Sequence, residues 1–156
     1  VTLFQGAITF LAGIIAFEGF QKFGINEYLL ALVSTLFLAG SYPITQIYQH
    51  EEDSKRGDKT ISLMLGIKGT FVFSGLLFAI AVGLMSYAFI VMQKPEWLLI
   101  FAISTAPILF FFANWGIKSF KDTSNVNFHN TMKMNKISSI CLSVGFFSTK
   151  LFDLLT

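Results

Sequence analysis

Along this sequence, charge-poor apolar stretches recur at about the length of a bilayer crossing, and that recurrence limits the fold more than any other feature. A helix needs ~20 residues at 1.5 Å each to traverse a hydrocarbon core of roughly 30 Å. Five stretches meet the condition, at about 1–20, 27–49, 69–92, 97–117 and 135–155. They predict an all-α, multi-pass transmembrane helix bundle in the lipid bilayer, one domain over 1–156, because lipid forces backbone polar groups to pair within helices or closed barrels. Composition agrees: 54% of residues are hydrophobic and only 13% charged, with a mean hydropathy of +0.67, against roughly 25% charged residues in a soluble domain. Nineteen Phe in 156 residues exceed what a water-soluble core of that length uses, so the excess is expected to face lipid. Tyr28 and Trp97 open spans, as interfacial aromatics do, and Pro43 and Pro107 lie inside spans, where kinks are expected.

Charge and cysteine usage remove other classes. A net charge of +2 on scattered lysines does not support a nucleic-acid partner. The single cysteine, Cys141, sits among apolar neighbours and is expected to be a core thiol, with no disulfide framework or thiolate metal site. The chain opens at Val1 inside an apolar run, without an initiator Met or a basic leader and cleavage site, and is expected to be a piece of a longer protein whose N-terminal half is missing.

Unequal connections predict orientation. Two are short, near 18–27 and 93–96, and two are long and basic, at about 50–68 and 118–134. Lys55, Arg56, Lys59, Lys68, Lys118, Lys121, Lys133 and Lys136 fall in or beside the long pair, eight of eleven basic residues, against Lys22, Lys94 and Lys150 on the other side. Both long loops are therefore expected to face the cytoplasm. Lys150 and Asp153, near the end of the last span, are expected to snorkel to the headgroups.

The acids are concentrated. Glu51, Glu52, Asp53 and Asp58 are four of nine, within eight residues of the first long loop. The preceding span carries Tyr42, Gln46, Gln49 and Asp53 at i, i+4, i+7 and i+11, the last three within about 40° of Tyr42 on a regular helix. Such a stripe, with Tyr48 beside it, is expected to line a cavity, since unpaired polar groups facing lipid cost several kcal/mol each. Clustered carboxylates suit Mg²⁺, a hard cation commonly held by one or two carboxylates, waters and substrate phosphates. Lys55, Arg56 and Lys59 suit phosphate oxygens, arginine as a bidentate fork and lysine as a point charge. Gly57 frees the backbone to turn between Arg56 and Asp58. The same composition also occurs in a solvated mixed-charge loop that only sets topology.

Pro43-Ile44-Thr45-Gln46-Ile47-Tyr48-Gln49, then Glu52-Asp53, Gly57-Asp58-Lys59-Thr60 and Leu65-Gly66, resembles the second acidic motif of the UbiA superfamily of membrane prenyltransferases. The resemblance implies a nine-helix bundle with two acidic motifs facing each other across a cavity open to lipid, the spans here matching helices five to nine. It also implies a chemistry in which Mg²⁺ neutralises the diphosphate of an allylic prenyl diphosphate, the C–O bond ionises, and a hydrophobic acceptor, aromatic or lipid, attacks the cation. Asp53 and Asp58 are the expected catalytic acids. The expected metal ligands are Asp53, Glu52, Asp58 and Gln49; Lys55, Arg56 and Lys59 are expected diphosphate contacts, and Tyr42, Gln46 and Tyr48 cavity-lining residues. Two departures stand out. Gln49 occupies a position where many members carry Asp, with Glu51 or Glu52 as a substitute, and the first acidic motif is absent from these residues. The piece is therefore expected to be inactive alone.

The second long loop carries Asp122, Asn125, Asn127, His129 and Asn130 on the same expected side as the acidic loop, a place from which it can cap the site; its final run, Asn127 to Asn135, reads either as a source of amide or imidazole groups for the acceptor or, the better reading, as an ordinary polar loop with an N-capping asparagine. His50 and His129 have no partner at metal-ligand spacing and suit surface or supporting roles. An alternative reading is a segment of a transporter or channel with a polar pathway; such proteins place broken polar elements near the midplane in paired repeats, whereas here the acids sit at one end of one span. A bundle without a site leaves the Tyr42 to Asp53 stripe unexplained.

Overall fold

A computed structural model describes residues 4–19 and 24–155, with the backbone alone at 17 and 18. The start of the first span and Lys22 lie outside the described residues. A π-helical turn, Phe4–Ile8, leads into α1, Thr9–Glu18. Then follow α2, Ile25–Gln46; a 3-10 turn, Ile47–Gln49; α3, His50–Arg56; α4, Ile61–Val91; α5, Pro95–Lys121; a second 3-10 turn, Thr123–Asn125; and α6, Phe128–Leu155. No strand occurs among the described residues. Four helical runs are long and apolar enough to cross a membrane, Ile25–Arg56, Ile61–Val91, Pro95–Lys121 and Phe128–Leu155, and a shorter apolar helix covers Phe4–Ala16. The protein is a multi-pass membrane helix bundle.

The run Ile25–Arg56 has 32 residues, more than the ~20 that span hydrocarbon. Its last two turns, His50–Arg56, carry the charged residues that follow the apolar stretch. The two long connections are correspondingly compact. Between α3 and α4 only residues 57–60 are non-helical, and between α5 and α6 only 122–127 lie outside the two long helices. Pro43 and Pro107 both lie within continuous helices.

α2 packs on α4 and α5 on α6, with α4 joining the two pairs. Lipid removes the hydrophobic drive between helices, leaving close packing and hydrogen bonds to hold them. Gly145 shows the closeness: a Cβ there would lie 2.5 Å from Ser104 Oγ, so α6 and α5 touch through a missing side chain. The α4–α5 seam is aromatic. Phe71 meets Trp115 edge-on at 5.0 Å and Phe120 at 5.8 Å, Phe78 meets Phe112 at 5.5 Å, and Phe89 meets Trp97 and Phe101 at 5.7 and 5.8 Å. Edge-to-face pairs add about 0.5–1.5 kcal/mol each beyond area burial. The phenylalanine excess is thus divided: Phe110 and Phe147 point outward, while Phe71, Phe89 and Phe101 are buried. Two clusters result, one around Val33, Met85, Phe89 and Phe101 and one around Ile44, Ile47, Phe71, Trp115 and Met134, the second beneath the acidic turn.

At the other end of the bundle, Lys94 Nζ and Trp97 Nε1 donate to Asp153 Oδ1 at 2.9 and 3.1 Å. Asp153 therefore ties the α4–α5 turn to the end of α6, and its hydrogen bond holds Lys94 above the usual lysine range. Cys141 is half-buried on α6, not enclosed as a core thiol.

Candidate functional site

The acidic turn is a short capped helix. Glu51, Glu52 and Asp53 fill its first turn and Lys55 and Arg56 its last, each charge matched to the end of the helix dipole that favours it. Gly57 closes it in the left-handed conformation, φ 77°, and the Asp58 amide donates to Asp53 O at 2.9 Å. Thr60 then starts α4 by accepting from the Leu63 amide at 3.2 Å.

The charged side chains divide into two sets. Lys55 Nζ bonds Glu51 Oε1 at 2.7 Å and Arg56 pairs with Glu52, both exposed and both four residues apart with the acid first, the favourable order. Asp53 behaves differently: it is 7% exposed, and its Oδ2 accepts from Thr60 Oγ1 at 3.2 Å. It is the one acid of the cluster turned into the bundle. Asp58 and Lys59 are exposed.

The sequence stripe is only partly preserved. The 3-10 turn at Ile47–Gln49 advances its three residues by about 120° each instead of 100°. Gln49 and Asp53 are thereby rotated up to roughly 60° from the line through Tyr42 and Gln46. Tyr42 OH bonds Gln5 Oε1 at 3.0 Å, while Gln49 Nε2 donates to Tyr48 OH at 2.9 Å. Tyr48 meets the Phe128 ring edge-on at 5.4 Å, which brings the start of α6 against the acidic turn. Tyr48, Gln49, Glu51, Glu52 and Lys55 line a shallow cleft of about 350 Å³. Among the described residues no three His, Cys, Asp or Glu side chains are gathered to hold a metal by themselves.

Sequence reasoning missed the support behind the cluster. His50 Nε2 lies 2.7 Å from Ser62 Oγ, which lies 3.2 Å from Thr70 Oγ1. Thr70 Oγ1 is also 2.8 Å from Gly66 O and 3.1 Å from Ser62 O. Ser62 and Thr70 are fully buried, so the chain fixes α3 to the first turns of α4. It passes over a break at Gly66, φ 66° and ψ 177°, which redirects α4 after its first turn. Spacing gave no sign of this, because the pairing depends on the turn at 57–60 folding back.

The second connection is equally ordered. Trp115 Nε1 and Asn130 Nδ2 both donate to Asn125 O at 2.9 Å, and Asn127 Oδ1 accepts from the Asn130 amide at 2.9 Å as the N-cap of α6. Two hydrogen bonds from Ser124, that from the hydroxyl first, hold the Asp122 carboxyl below its usual range.

Below the acidic turn, α2, α4, α5 and α6 enclose a trough of two adjoining apolar cavities of about 430 and 560 Å³, which share Phe37, Leu38 and Leu142. It extends along α2 from Leu30 to Ile44, about 21 Å at helical rise. Asp53 lies about 14 Å further along the same run.

A family model described as the UbiA prenyltransferase family matches residues 1–137, most of the chain. No curated protein and no solved structure matches it.

Proposed function

Since this chain belongs to the UbiA prenyltransferase family, we propose that it forms the diphosphate-binding side of an intramembrane enzyme that transfers a prenyl group from an allylic prenyl diphosphate to an aromatic or lipid acceptor. The observation that carries this reading is the buried carboxylate of Asp53 at the membrane boundary, on the helical run that continues as one wall of a 21 Å apolar trough. The donor has the matching shape, a polyanionic head on a greasy tail.

The residues present fit Mg²⁺. Thr60 fixes one oxygen of Asp53 while the other accepts no hydrogen bond from the described residues, and magnesium needs only one or two carboxylates because waters and phosphates complete its shell. Asp53 is the first ligand in this reading, with Asp58 and Glu52 beside it and Gln49 as a neutral neighbour. When bound, the metal supplies Lewis-acid stabilisation of the departing diphosphate. The companion carboxylates come from residues outside this sequence, so these residues alone are not expected to turn over.

The rest of the task falls to the chain's own side chains. Lys55 and Arg56 exchange Glu51 and Glu52 for phosphate oxygens at small cost, because exposed ion pairs contribute little to stability. Lys59 adds a third cation. With the head held there, the tail lies in the trough, and the allylic C–O bond breaks with its electron pair leaving on the diphosphate. The acceptor then attacks the allylic carbon and loses the proton of the attacked ring carbon or hydroxyl to the released diphosphate. Tyr48, edge-on to Phe128, borders the cleft that takes the head. Both basic connections face the cytoplasm, from which a water-soluble headgroup reaches the cleft.

The test is Asp53→Asn in the whole enzyme, assayed for transfer of a labelled prenyl diphosphate against Mg²⁺ concentration. Turnover is expected to fall by about 10²-fold or more, the scale of losing one electrostatic group at a reacting centre. Unchanged turnover and unchanged Mg²⁺ dependence would remove Asp53 from the site.

A further inference from the structure

On the reverse face of the α5–α6 pair, Phe110, Phe111, Asn114, Trp115, Lys118, Asn125, Asn130 and Lys133 surround a cleft of about 370 Å³. On both helices its residues point roughly 140° away from those that line the trough, so the cleft opens away from the trough, to the bundle's exterior. Between Trp97 and Phe152 the sequence holds five lysines and one acid, Asp122, whose carboxylate is already taken by the Ser124 amide and hydroxyl. Lys118 and Lys133 are both exposed, and no ion pair neutralises either among the described residues. Lys133 is drawn instead over the Phe111 ring, at 5.3 Å. The cleft floor is fixed, since Trp115 is 3% exposed and both Trp115 and Asn130 are anchored on Asn125 O. Toward the bilayer centre the same seam presents Phe110, Ile103, Ile140, Val144 and Phe147, all exposed and apolar.

We propose that this cleft binds an anionic phospholipid, its phosphate between Lys118 and Lys133, its polar headgroup on the Asn114 and Asn130 amides, and its acyl chains along the Phe110 to Phe147 seam. Two unpaired cations above a fixed polar floor and an apolar track suit an anionic lipid headgroup site between membrane helices. The site is separate from the acidic turn and does not depend on the transferase reading.

The test is native mass spectrometry of the whole protein, delipidated and titrated with phosphatidylglycerol or phosphatidylcholine, comparing wild type with Lys118→Gln/Lys133→Gln. Phosphatidylglycerol is expected to bind the double variant roughly 30-fold more weakly, two lysines at the usual contribution each, with phosphatidylcholine unaffected. Lys118→Arg/Lys133→Arg should restore binding, which separates lost charge from lost fold. Equal phosphatidylglycerol retention by wild type and double variant overturns the proposal. So does displacement of the lipid by millimolar inorganic phosphate, which would make the cleft a site for free anions.

Discussion

Gly66→Ala isolates the backbone geometry on which the acidic turn depends. At φ 66° and ψ 177° Gly66 occupies a region essentially restricted to glycine. A Cβ added there meets no atom within 4 Å, so no steric term enters. The cost is conformational alone, about 1–3 kcal/mol, or a factor of roughly 5 to 150 in the folding equilibrium. Gly83 is the internal control. It lies in the same helix with equally open surroundings but regular backbone, so Gly83→Ala is expected to stabilise by about 0.5–1 kcal/mol. One substitution, on one helix, in equal space, should have opposite signs. Reversible unfolding in mixed micelles by SDS titration measures both, and hydrogen exchange at 57–66 should rise for Gly66→Ala as the Ser62–Thr70–His50 chain loosens. If Gly66→Ala fell within about 0.5 kcal/mol of wild type, below the range for such backbone strain, the break at Gly66 would not be what holds α3 against α4.

Three further outcomes follow from the same geometry. Thr60→Val removes both the α4 cap and the donor to Asp53; it should cost about 1 kcal/mol of stability in the same titration and reduce turnover, whereas Thr60→Ser keeps both bonds and should leave both near wild type. Leu142→Trp narrows the junction between the two cavities and should lower kcat/KM for long prenyl donors by about 10-fold or more while sparing short ones, a selectivity of the size expected for pocket shape, read by comparing donors of increasing chain length. In a Cys141→Ser background, Arg56→Cys and Lys121→Cys should react with an impermeant thiol reagent only from the cytoplasmic side, and labelling only from the outside would invert the topology.

What was legible in the sequence was local. Four of the spans followed from hydropathy. The family motif lies within the 24 residues from Pro43 to Gly66, where order along the chain carries the information. Each miss arose where two distant segments meet or the backbone leaves its ideal period. The polar stripe assumed 100° per residue through Ile47–Gln49, which turns faster as a 3-10 helix. Phenylalanine counts could not distinguish lipid-facing Phe110 from Phe71, buried against Trp115, because the difference depends on which face of α5 meets α4.

The division of labour among the carboxylates follows from the same fold-back. Four acids within eight residues look equivalent in sequence, yet the turn at 57–60 brings Thr60 onto Asp53 alone, while Glu51 and Glu52 remain outside with their own cations. A buried carboxylate with a fixed orientation is preorganised for a ligand, whereas an exposed pair re-forms at little cost whichever partner it takes. One helical turn thus supplies a rigid anion and releasable cations side by side. Moving the anion to the outer face, by Asp53→Ser with Ser54→Asp, should therefore leave the net charge of the turn unchanged and still abolish turnover. Full activity of that swap would mean that charge at the boundary, not its placement, is all the site requires.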